Sequence, residues 1–196
     1  MARRHQLLLT ALILVGVAAV TGAATYSAFS STTSSSTNSF AAGTVLIGDN
    51  DLDSAMLSLP NAKPGDSDTS CITLTYTGTL DSSVRLYGTI SGGLAPYVNM
   101  TVTRGTDSSP TFDSCTTFDP DPTDYIGAGD GVIYQGTLSA FPTSYGAGLV
   151  DPTSGSPETW QTDEVHVYRF EVSLANDNGA QGQTASAGFT WEARNQ

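Results

Sequence analysis

Histidine, cysteine and lysine are scarce in this 196-residue chain, which holds 2 His, 2 Cys and, in Lys63, a single lysine. Each shortage removes a class of chemistry. A catalytic zinc takes three protein ligands, commonly through H-E-x-x-H on a helix. His5 and His166 stand at opposite ends of the sequence, and no such motif surrounds either. A serine triad needs histidine as its base, and no G-x-S-x-G elbow accompanies His166. Two cysteines without neighbouring histidines cannot build a structural zinc site. Cations of any kind are few: 7 Lys+Arg face 19 Asp+Glu, a formal net charge of -12. A surface of that sign repels phosphate backbones and anionic lipid, so no nucleic-acid partner is expected. Charged residues make up only 13% of the chain, and strong helix formers give way to Ser, Thr, Gly and Asp. That composition suits strands and turns.

Long hydrophobic runs are also lacking, with one exception. Leu7–Val20 is apolar, follows Arg3 and Arg4, and precedes the small residues Thr21-Gly22-Ala23-Ala24-Thr25. A positive start, a short apolar centre and small residues are the marks of a secretory signal peptide. The run is shorter than the ~20 residues that span a bilayer, so a stable membrane anchor is not expected. The predicted organisation is a signal peptide over 1–27, a flexible Ser/Thr-rich segment over 28–42, and one β domain over 43–196. An exported protein meets an oxidising environment, where Cys71 and Cys115 most simply form one disulfide. Two free buried thiols are the alternative.

Past the Ser/Thr tract the chain breaks into short runs separated by Gly, Pro, Asp and Asn. Thr44–Ile47 and Ala55–Leu59 come first, and Asn61–Asp66 is a turn led by Pro64 and Gly65. Cys71–Tyr76 alternates, with Ile72, Leu74 and Tyr76 on one face. Ser83–Ile90 alternates through Val84, Leu86 and Ile90, and Tyr97–Thr103 through Val98, Met100 and Val102. Arg104–Asp130 is irregular and rich in Asp and Pro, which excludes a central strand. Val132–Leu138, Glu164–Leu174 and Gly188–Ala193 complete the set. In Glu164–Leu174 the apolar phase slips between Val167 and Tyr168, which predicts a β-bulge. About eight strands without helical periodicity predict an all-β, two-sheet sandwich of jelly-roll type. Cys71 lies on the polar phase of its strand. The disulfide is therefore expected on an outer sheet surface, pinning the Arg104–Asp130 loop there.

Candidate ligand sets are thin. Glu164 and His166 share one strand face and could start a metal site, but a polar strand end with one satisfied histidine is the expected reading. Asp49, Asp51 and Asp53 match the first positions of a calcium loop, but Ser54 and Pro60 stand where Gly and Glu are needed. Asp119, Asp121 and Asp124 are a second loose acidic set. Tyr87, Tyr97, Tyr125, Tyr145 and Trp160 are candidates for an exposed sugar-binding platform. No catalytic or cofactor residue is assigned from the sequence.

Three local patterns resemble the TasA/camelysin family of secreted proteins: Ala24-Thr25-Tyr26-Ser27-Ala28-Phe29 after the apolar run, Asn38–Val45, and Leu59 to Pro64-Gly65-Asp66 combined with Phe189-Thr190-Trp191-Glu192-Ala193. The resemblance implies a jelly-roll core and cleavage between Ser27 and Ala28 by a SipW-type signal peptidase. It also implies self-association into fibres of a biofilm matrix, and camelysins carry a metallopeptidase label. The chain departs from fibre-forming members in its poverty of lysine and its cysteine pair.

Overall fold

The computed structural model describes residues 43–52, 54–153 and 156–196. The signal peptide, its Ser27–Ala28 cleavage point and the 28–42 segment lie outside the described residues. The described chain is all-β, in two antiparallel sheets that share one core. Among the described residues, no helix is long and apolar enough to cross a membrane.

The first sheet runs β1 (Ile47–Asp49), β2 (Ser67–Tyr76), β10 (Glu164–Leu174) and β4 (Val98–Asp107). Both β5 (Phe118–Pro120) and β6 (Val132–Thr137) pair with β4, at different stretches of it. The second sheet is β11 (Ser186–Asn195), β3 (Ser82–Ser91) and β7 (Leu149–Val150), and a small hairpin joins β8 (Pro152–Thr153) to β9 (Ser156–Pro157). Alternation sets the inner faces. Ile72, Leu74 and Tyr76 of β2 are buried, as are Val98, Met100 and Val102 of β4 and Val84 and Leu86 of β3. Phe170 closes the gap between sheets, with its ring centroid 4.8 Å from Phe189 and 5.8 Å from Trp191.

Several details differ from the sequence reading. Ala55–Leu59 is irregular, although Met56, Leu57 and Leu59 pack on the core. Among the described residues there are eleven strands rather than about eight, because the long loops contribute strands of two or three residues. No bulge occurs at Val167: β10 pairs β2 in unbroken register from Glu164↔Tyr76 to Ser173↔Ser67. The register shift lies between Val102 and Thr103, where β4 meets β6. The two apolar phases of β10 arise because its sheet is covered on both faces. Cys71, Thr103 and Val167 are all buried on the outer face.

The outer cover is the excursion after β4. Cys71 and Cys115 form a disulfide with Cα atoms 5.2 Å apart, the Asp113 N–H donates to the Cys71 carbonyl, and Arg169 stacks 5.0 Å over the Phe118 ring. The bridge thus pins this loop to the outer face, and the loop in turn buries Cys71. Gly131 returns the chain to β4 with φ +70, and a Cβ there would sit 2.3 Å from the Arg104 carbonyl. Only glycine permits this approach, which sets the loop beside Arg104.

Candidate functional site

Two ionisable residues stand on inward phases otherwise filled by apolar side chains. Arg104 continues the Val98, Met100, Val102 row of β4, and His166 precedes Tyr168 and Phe170 on β10. Antiparallel pairing sets Arg104 opposite Tyr168, one step along the inner face from His166. Both end the core at one edge of the sandwich, where two long excursions bring carboxylates to them. Asp121 and Tyr125 arrive after β5, and Asp151 and Glu158 flank the β8–β9 hairpin. Glu164 comes from the start of β10.

Arg104 is the hub. Its Nη1 donates to Asp121 Oδ2 and to the Tyr125 hydroxyl, and its Nη2 donates to Glu158 Oε2. Its Nε donates to His166 Nδ1 at 3.1 Å and lies 2.7 Å from Asp151 Oδ1. The other ring nitrogen, Nε2, lies 2.8 Å from Glu164 Oε1. Asp151 is held by charge more than by alignment. It is 4% exposed, His166 Nδ1 stands 3.4 Å from Oδ2, and neither oxygen has a donor at full hydrogen-bond geometry. Trp160, fully buried, stacks on His166 with centroids 4.3 Å apart and closes the cluster from the core side.

Four carboxylates around one guanidinium leave an excess of negative charge, and the electrostatics follow. Burial pushes the Glu158 carboxyl up to about 7; Arg104 opposes the rise, and Asp151 and Glu164 add to it. Burial likewise raises Asp151. Burial works against the Glu164 charge too, but the Gln161 N–H and His166 hold it below the ordinary carboxylate range. A carboxyl raised in the folded state binds a proton that the unfolded chain releases, so its contribution is lost as pH rises through its folded value. The thermal midpoint should therefore fall between about pH 5 and pH 8. Glu158→Gln should flatten that fall and raise the midpoint at pH 8, as calorimetry across the series would show.

In the second acidic set, Asp121 and Asp124 turn to different partners. Asp121 is committed to Arg104, whereas Asp124 Oδ1 accepts the Gly127 and Ala128 N–H groups. Asp49 and Asp51 have partners, and Asp53 lies outside the described residues. Of the aromatic candidates, Trp160 is fully buried and so cannot belong to an exposed platform, whereas Tyr87, Tyr97, Tyr125 and Tyr145 are half-buried. The sequence reading found Glu164 and His166 but missed Arg104, Asp151 and Glu158. One signal for Arg104 was available, namely a charged residue on the apolar phase of β4. Asp151 and Glu158 lie in irregular chain that carries no such phase.

An all-β sandwich with one disulfide and a buried ion cluster is the class of protein these features define. Residues 7–91 match the family model described as camelysin metallo-endopeptidase, which is the TasA/camelysin family that the sequence motifs resemble. No curated protein matches the chain. The Arg104 cluster lies outside the matched stretch.

The family description implies a metal, and one group could offer ligands. Single ligand atoms of Asp151, Glu158 and His166 all lie within 4.8 Å of one another. The residues nevertheless do not fit a zinc ion. Zinc needs each ligand atom at about 2.0–2.2 Å with its lone pair free. Here Arg104 contacts all three: its Nε faces Asp151 and His166 Nδ1, and its Nη2 holds Glu158.

Proposed function

We propose that the protein is a secreted structural subunit of the cell surface or extracellular matrix, released by a signal peptidase and polymerised by strand addition. The observation that carries this reading is the free edge of β11. Ser82 of β3 exchanges both backbone bonds with Trp160, and the Gly88 N–H donates to the Pro142 carbonyl. Even-numbered residues of β3 therefore point away from β11, and odd-numbered ones bond to it. With Ser82 opposite Asn195 and Gly88 opposite Phe189, the backbone groups of Ala187, Phe189, Trp191, Ala193 and Asn195 face away from β3. Among the described residues, no strand pairs with β11 on that side.

A long unpaired edge is a template for a strand from another chain. An apolar groove of about 380 Å³ opens beside this one, lined by Leu57, Leu59, Val172, Leu174, Ala187 and Phe189 among others. The Ser/Thr-rich segment 28–42 of a second copy has low side-chain bulk, with Phe29 and Phe40 as anchors. Its insertion would join copies head to tail, a contact that propagates into filaments. Deleting 28–40 should abolish filaments seen by electron microscopy, and unchanged filaments would refute strand donation. Ala187→Pro should also abolish them while leaving the monomer folded, because the N–H it removes faces away from β3.

On this reading the protein is not a peptidase. The family description is what favours that second reading. Casein hydrolysis by pure protein, lost with chelator and with His166→Ala, would establish it.

A further inference from the structure

We propose that Arg104 is a built-in substitute for a metal ion: its guanidinium occupies the cation position framed by Asp151, Glu158 and His166 and keeps divalent ions out. The argument is geometric. Those three side chains come from separate places in the chain, yet their ligand atoms gather within 4.8 Å, as around an ion. The cation they gather around is the guanidinium, which contacts all three and reaches Asp121 with its remaining arm. Its planar fork serves several carboxylates at once, where a metal would impose a tighter and more regular shell.

Arg104 is also fixed in place. Its N–H donates to the Gly131 carbonyl, its carbonyl accepts from the Asp121 N–H, and its side chain is 11% exposed. A divalent ion could enter only by expelling a charged group with five partners into solvent. Both excursions that end on Arg104 would then lose this side-chain tie, keeping only their backbone pairings and the disulfide. In this arrangement the cluster ties the 118–131 and 149–160 stretches to the sheet, as a structural metal does elsewhere, without depending on metal supply.

The test uses the purified full chain, with zinc chloride and calcium chloride as separate probes. The wild-type thermal midpoint should move by less than about 1 °C between chelator and millimolar metal. Arg104→Gln removes the charge and leaves the three ligands. It should take up about one zinc or calcium per chain by calorimetric titration, and its midpoint should rise by about 5 °C or more at a hundredfold excess over Kd. Uptake should vanish in Arg104→Gln/His166→Ala. Stoichiometric binding by the wild type, lost in His166→Ala, would overturn the assignment. So would a folded Arg104→Gln that binds neither metal. If Arg104→Gln does not fold without metal, the wild-type titration decides alone: binding overturns the proposal, and no binding upholds it.

Discussion

Arg104→Ala should lower unfolding stability by about 3–5 kcal/mol, the scale for removing one partner from a buried ionic cluster. The loss comes mainly from what stays behind. Asp121, Asp151, Glu158 and Glu164 would face only His166, and Asp151 has almost no access to water. Urea unfolding at pH 7.5 measures the effect. Arg169→Ala supplies the contrast. Its ion pair with Glu171 spans 3.3 Å between side chains 28% and 45% exposed. Exposed pairs contribute about 0–1 kcal/mol, and its stacking on Phe118 adds about 0.5–1 kcal/mol. The two arginines therefore separate by burial, although both form salt bridges. At pH 5 the Arg104→Ala loss should shrink, because protonating Glu158 removes one orphaned charge. In a double-mutant cycle Glu158→Gln should recover part of the loss. A loss under about 1 kcal/mol at pH 7.5 would mean that solvent, not Arg104, neutralises the cluster.

How far the sequence could lead is visible strand by strand. β2, β3, β4 and β11 each carry one apolar and one polar phase, and period two placed their inner faces correctly. β10 misled because both of its faces are covered near Val167. A strand buried on two sides loses its alternation, and the mixed phase imitated a bulge. Nothing local in β10 records that the Cys115 loop would lie over it. The cysteine positions supplied that information indirectly, since Cys71 on a polar phase drew the loop to the outer face. Ala55–Leu59 misled in the opposite sense: its apolar residues reach the core without the backbone pairing that makes a strand.

The ion cluster was half legible. Glu164 and His166 sit two apart on one strand, so spacing revealed them. Arg104 required carrying the alternation of β4 one step past Thr103, into chain that proline and aspartate marked as irregular. Asp151 and Glu158 required the path of the β8–β9 hairpin, which brings residues distant from β4 in sequence to its inner end. Contacts between separate excursions depend on loop geometry, and single-sequence periodicity contains none of it.

Replacing both cysteines by serine should cost about 4 kcal/mol, because the bridge closes a loop with a sequence separation of 44. The structure makes this loss regional before it is global. The pinned excursion covers Cys71, Thr103, Arg169 and Val167 on the outer face, and its later part delivers Asp121 and Tyr125 to Arg104. Freeing it exposes apolar surface outside the sheet and slackens the cluster within. Hydrogen exchange should therefore rise first along 108–131 and in the middle of β10, while β3 and β11 stay protected. The double variant should also respond more steeply to pH between about 5 and 8, since Asp121 would hold Arg104 less firmly against Glu158. Reduction of the wild type by dithiothreitol should give the same pattern. Equal deprotection of both sheets would show that the bridge acts only on the unfolded chain, with no part in holding the loop to β2.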